Sequence, residues 1–223
     1  MGVLADWSIL AEVAIEPKLP LGHKCPAGAI SSGPSAYGYD ARLGETFKVA
    51  TPVYGAVLSP KRPDPRAWAE VAPANGVVVL PPHSFCLAET LEWFSIPRDV
   101  LVLCICKSTY CRCGLIVNMS PLEPEWRGKV TLELHNATPN AIEVYPGEGI
   151  CQFIFLRSDG RRAAVEYAVE ANAQGYGGPV RIDIAQKARE MGCRVSDADK
   201  VGRYQDQTGL TLGFVAPPEK GPS

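Results

Sequence analysis

The sequence predicts an all-β fold, a sandwich or a distorted barrel with short helices, and three observations carry that prediction. Short β-rich runs recur at 76–80, 100–106, 115–117, 129–135 and 149–156. Pro, Gly and Asn separate them, as turns between strands require. Helical spacing is confined to two short segments, one near each end.

Taken in order, residues 6–13 set Asp6 ahead of the apolar run Trp7-Ser8-Ile9-Leu10-Ala11 and predict a short helix capped by that aspartate. The proline-rich stretch 60–65 reads as a connector. Residues 100–106, Val-Leu-Val-Leu-Cys-Ile-Cys, form a buried strand on which Cys104 and Cys106 share a face. Along 129–135 the alternation sets Thr131, Glu133 and His135 on one face, with Val130, Leu132 and Leu134 turned into the core. Beyond the strands, Gly175-Tyr176-Gly177-Gly178-Pro179 is a turn, and 183–191 places Ile184, Ala188 and Met191 at helical spacing before Gly192 as a C-cap. That helical insertion near the C-terminus is too short for a second domain, so residues 1–223 are expected to form a single domain.

Composition narrows the function classes. A chain of 223 residues, 46% hydrophobic with a net charge of −2, can bury one substantial core. It lacks the basic balance of a protein that grips duplex nucleic acid, so no nucleic-acid partner is expected. No apolar run is long enough to span a bilayer, and Met1-Gly2-Val3-Leu4-Ala5-Asp6 lacks the basic start of a signal peptide; the expectation is a cytoplasmic protein without a membrane partner. In a reducing compartment the eight cysteines are small apolar residues, not disulfides. The pairs Cys104-Ile105-Cys106 and Cys111-Arg112-Cys113 fall short of the two-to-four-residue separation of zinc ligands across a turn, so no protein-bound metal is expected.

The chemistry-bearing segment is Cys106-Lys107-Ser108-Thr109-Tyr110-Cys111-Arg112-Cys113-Gly114, followed by Val130-Thr131-Leu132-Glu133-Leu134-His135-Asn136. It combines a cation, two hydroxyls and an arginine with one strand carboxylate. Lysine is a compact charge for phosphate oxygens, and the planar arginine fork fixes a carboxylate or carbonyl. The glycines of a P-loop are absent before Lys107. None of His23, His83 or His135 stands two residues before a glutamate, and no Pro-Cys pair occurs, so the zinc-deaminase signature is missing. Hydrolytic chemistry on a nucleotide would then need a carboxylate as base, with a proton affinity brought near neutrality by a closed, dry pocket. Glu133 is the candidate; read from residue type alone, an exposed strand glutamate is the better description, and only a family resemblance reverses that.

These segments resemble the dCTP deaminase family of the trimeric dUTPase-like superfamily. Residues 30–42, from Ile30 to Arg42, are similar to its N-terminal loop; Pro81-Pro82-His83-Ser84-Phe85 and Ile96-Pro97-Arg98-Asp99-Val100 to its middle; Tyr204-Gln205-Asp206-Gln207-Thr208-Gly209 to the segment that closes over the nucleotide. The resemblance implies a dUTPase-like distorted barrel and hydrolysis of dCTP to dUTP and ammonia, dUTP being a source for thymidylate synthesis. It assigns catalysis to Glu133 as general acid/base, with Ser108 and Arg112 at the reacting end of the base. Lys107 and Thr109 are assigned to the phosphates, and Tyr110, Cys111, Glu123, Thr131, Leu132, Gln152, Tyr167, Arg203 and Gln207 join Ser108, Arg112 and Glu133 as nucleotide-binding positions. Magnesium is implied as a companion of the triphosphate and zinc is not; a homotrimer with active sites between subunits is implied, with dTTP or dUTP as further ligands. In the family the tyrosine matched by Tyr167 lies a few residues before the closing segment, whereas here 168–201 intervenes and the tail follows at 202–215. Related dUTPases carry an aspartate where Glu123 stands. Two rival readings accompany this one: a bifunctional enzyme that also cleaves the triphosphate to dUMP and pyrophosphate, and a nucleotide-binding regulatory homologue without chemistry.

Overall fold

The computed structural model describes residues 2–55 and 57–158. In chain order these form β1 (Gly2–Val3), α1 (Asp6–Glu12), β2 (Ala14–Glu16), β3 (Gly33–Ser35), β4 (Gly38–Ala50), a 3-10 turn (Pro65–Ala67) and β5 (Trp68–Val71). Next come β6 (Val78–Leu80), β7 (Phe85–Ser95), β8 (Val100–Cys106), α2 (Ser108–Arg112), β9 (Leu115–Asn118), β10 (Arg127–Asn136), β11 (Ile142–Val144) and β12 (Gly149–Arg157). The five expected strands are all present, within about two residues at each end. The N-terminal helix is present too, but its N-cap is Ala5; Asp6 is the first helical residue, and its Oδ1 accepts from Trp7 N at 2.7 Å.

Ten strands curl into one antiparallel sheet whose path runs β1-β12-β4-β7-β10-β9, with β8 also on β12, β3 and β5 on β4, and β2 on β7. β6 and β11 pair separately. The curl has an identifiable corner. The first half of β4 pairs with β12, the second half with β7 and β5, and both β4 and β7 shift register there, between Leu43 and Phe47 and opposite Lys129 and Thr131. Bulges are how a strand passes from one layer to the next.

Buried polar groups stitch this corner. Arg42 donates to Glu92 from Nε at 2.6 Å and from its backbone N at 2.9 Å, while Thr90 Oγ1 donates to Glu92 O and accepts from Val130 N. Burial pushes the Glu92 carboxyl up despite Arg42. Inside the curl, Phe94 stacks edge-on against both Tyr39 (6.2 Å) and Phe153 (5.1 Å), tying β7, β4 and β12 together.

Candidate active site

Lys107 leaves β8 and caps α2, a single turn from Ser108 to Arg112; Cys113 closes it, and Gly114 follows with a φ of +83° that suits glycine before β9 begins. Of its residues, Ser108, Thr109, Cys111 and Arg112 are exposed. Tyr110 is not: it is 3% exposed, its hydroxyl accepts from Tyr145 N at 3.2 Å, and burial holds the phenol protonated far above its usual range. Among positions expected to meet a nucleotide, Tyr110 therefore offers its main chain only. The same holds for Leu132, whose side chain is wholly buried.

Lys107 is held before the turn. Its Nζ donates to Asp40 Oδ2 at 2.5 Å and to Ser31 Oγ at 3.0 Å. Next to it, Gln152 Nε2 donates to Ser35 Oγ at 2.6 Å, and Gln152 is the Cα partner of Asp40 across β12 and β4. The loop bearing Ser31 is anchored by Ile30 N donating to Glu148 Oε2 at 2.7 Å. Lys107 and Gln152, both expected to meet the nucleotide, are thus tied to neighbouring polar partners, Asp40 and Ser31 for the first and Ser35 for the second, with Gln152 directly opposite Asp40. The sequence singled out the segment 30–42 but gave Asp40 and Ser31 no role; an aspartate on a strand carries no mark of its partner until the pairing is known.

Glu133 lies elsewhere on the sheet. The β10 alternation is as expected: Leu132 and Leu134 are buried, while Thr131 and Glu133 are half-buried and His135 is exposed. Glu133 Oε2 accepts from Asn118 Nδ2 at 2.9 Å. Among the described residues no hydrogen bond or ion pair joins Glu133 to Ser108 or Arg112. Glu123 is exposed in a turn where its carbonyl accepts from Trp126 N at 3.1 Å. Tyr167, Arg203, Gln207 and the insertion at 168–201 lie outside the described residues.

The thiols are set by burial. The Cys106 thiol donates to the carbonyls of Lys107 and Leu115, both at 3.5 Å, and burial with Cys111 beside it pushes it up to about 12. Cys86, buried, is pushed up to about 12 as well. Among the described residues no group of three or more His, Cys, Asp or Glu stands together in a way that could hold a metal ion. The hydroxyl, ammonium and guanidinium groups around α2 are donors of the kind that meet phosphate oxygens.

A family model described as dCTP deaminase-like matches residues 12–158. The chain belongs to the dCTP deaminase family. A dCTP deaminase of Paramagnetospirillum magneticum is 46% identical over 186 residues, 83% of each chain. One from Dichelobacter nodosus is 42% identical over 200 residues, 89% of each. Among solved structures, a 2'-deoxycytidine 5'-triphosphate deaminase from Agrobacterium tumefaciens superposes with a TM-score of 0.51 at 19% identity. That match covers 77% of this chain and 52% of the other, so the chain spans about half the length of that structure's chain and the likeness speaks for the dUTPase-like fold. Among the described residues of this dCTP deaminase family member, no helix is long and apolar enough to cross a membrane.

Proposed function

We propose that the protein hydrolyses dCTP to dUTP and ammonia with Glu133 as general acid/base. The observation that carries this reading is a half-buried strand carboxylate, oriented by an amide partner, in a chain 46% identical to a dCTP deaminase. Water adds to C4 of the cytosine as Glu133 takes one of its protons and passes it to the ring nitrogen N3; Glu133 then takes the proton of the new C4 hydroxyl as the carbonyl forms and delivers it to the exocyclic nitrogen, so the C4–N bond breaks and ammonia leaves. Ser108 and Arg112 orient the water and the carboxylate; Lys107, Thr109 and Gln152 hold the nucleotide. Magnesium, when bound, neutralises triphosphate oxygens, and the cations of this chain meet the remaining charge.

The site is completed by a second copy, in a homotrimer. The outward face of β8 and β12 is apolar: Ile105 is 55% and Leu103 38% exposed, Ile154 and Leu156 stand opposite Leu103 and Leu101, and Val3 extends the row at 48% exposure. An apolar sheet face ending beside Lys107 and Gln152 is suited to a subunit interface that brings Ser108 and Arg112 of one copy near Glu133 of another. The test is incubation of purified protein with dCTP and magnesium, with resolved products and light scattering. dUTP from a trimer supports the reading; dUMP with pyrophosphate, or bound but unchanged dCTP, contradicts it.

A further inference from the structure

Glu89 and Lys129 form an ion pair on the face of the sheet that carries Glu133. Lys129 Nζ donates to Glu89 Oε1 at 3.0 Å, and Thr46 Oγ1 donates to the same oxygen at 3.1 Å. The Glu89 side chain is 6% exposed and that of Lys129 36%, so the carboxylate is set into the sheet and the cation closes it from solvent. Among the described residues Glu89 Oε2 has no hydrogen-bond partner. Glu89 stands opposite Thr131, and Leu87 opposite Glu133, so Glu89 is the diagonal neighbour of Glu133. Diagonal pairs lie roughly 7–8 Å apart.

Stability does not account for this pair. A buried salt bridge is commonly no more stable than apolar side chains of similar volume, and an oxygen left without a donor adds a cost. The other charged groups facing Glu133 are few. On β10 there is His135; Asn118 on β9 is neutral; one strand beyond β7, Lys48 of β4 pairs with Glu70 of β5 at 3.6 Å. Phe85 on β7 and Trp68 on β5 carry no charge. Among the described residues of one chain, register makes the Glu89–Lys129 pair the charge pair next to Glu133; Arg112 of a second copy would face Glu133 from across the proposed interface and is unchanged in every variant compared below.

We propose that Glu89 and Lys129 are positioning residues for deamination: the pair fixes the stretch of β10 bearing Thr131 and Glu133 and presents Glu133 with a balanced local charge, in which it can both take and return a proton. This rests on the reading of Glu133 as the acid/base. Removing one member unbalances the field in a sign-specific way. With that diagonal residue spacing of roughly 7–8 Å taken as the scale of the charge separation, and an effective dielectric between about 20 and 80, one uncompensated unit charge would displace a pH-profile limb by roughly 0.4–1.6 pH units.

The experiment is the pH profile of kcat/KM for dCTP in the full-length protein, with thermal unfolding of every variant. Lys129→Met exposes Glu133 to the Glu89 charge, and the low-pH limb moves to higher pH by roughly 0.4–1.6 units. Glu89→Gln leaves the Lys129 cation unopposed, and the limb moves the other way. The double variant returns the limb towards its original place, and Lys129→Arg, which keeps the charge, holds it there. Limbs that stay fixed, or that move in the same direction in both single variants, overturn the proposal and leave the pair a purely structural role; a limb displaced in Lys129→Arg overturns it even where Glu89→Gln fails to fold. Glu133→Gln separates the two ideas: if that variant keeps its turnover, the acid/base assignment fails whatever the pair does.

Discussion

Asn118 donates its side-chain amide to Glu133 at 2.9 Å, and the two residues are direct Cα partners across β9 and β10. The bond selects one orientation of the carboxylate and leaves its other oxygen for a water. Hydrogen bonds to charged groups are worth about 1.5–3 kcal/mol. Asn118→Ala is expected to lower kcat by about tenfold or more while KM for dCTP changes less than about threefold, because the lost contact acts on the base and not on bound nucleotide. Steady-state kinetics check this; a loss confined to KM would place Asn118 among the nucleotide contacts instead.

Lys107 is expected to matter for binding more than for chemistry. Held by Asp40 and Ser31, it is a preset cation at the start of the exposed turn Ser108–Arg112. Lys107→Met removes one charge-assisted contact, so dCTP affinity measured by titration calorimetry falls by about tenfold or more. Thermal stability falls too, since Asp40, 14% exposed, is left without its counter-ion.

Gly149 is required by close approach, not by turn geometry. A Cβ there would collide with the Ser31 carbonyl oxygen and stand 3.2 Å from Lys107 Cδ. Gly149→Ala is expected to destabilise the fold by about 1–3 kcal/mol, the range for overpacking. It also displaces Ser31 from Lys107. Thermal melts and dCTP affinity should fall together.

Alkaline pH should unfold the protein early. Burial pushes Cys86 and Cys106 from 9.0, and Tyr39 from 10.0, up to about 12. The unfolded chain releases these protons first and the folded chain retains them, so stability is intact below pH 9 and falls as the pH rises towards about 12. Each group contributes about 1.4 kcal/mol per pH unit within its window. Urea midpoints measured from pH 8 to 11 check the sign: a midpoint that holds steady or rises contradicts it.

Much of the architecture is legible in the sequence because local alternation and core burial agree. Residues 100–106 and 129–135 announce their strands, and 129–135 its faces as well; 100–106 reads as a buried strand, whereas the structure exposes Leu103 and Ile105 on one side of it, because an all-apolar run carries no alternation to mark an outward face. The two longest strands announce neither. β4 and β7 carry Arg42, Gly44, Glu45, Glu89 and Glu92, which break the alternation, because these strands bend through bulges at the corner and bury charge against charge there. The site shows the same division. Glu133 and the Lys107–Arg112 motif are weak signals by residue type, a strand glutamate and a lone Lys-Ser-Thr, and it is the family resemblance that singles them out. Asn118, Asp40 and Glu89 do not stand out, since each gains its role from a partner brought close only by strand register. α2 was invisible for a different reason: one turn is too short for a helical period to register.

The central claim is that Glu133 is the acid/base of a dCTP deaminase. Glu133→Gln keeps the shape and one acceptor for Asn118 but removes the basic group, and general bases contribute about 10²–10⁴ in rate. The direct measurement is single-turnover formation of dUTP by this variant beside its affinity for dCTP. The account predicts a fall in rate of roughly a hundredfold or more with affinity nearly unchanged; near-normal turnover would contradict it.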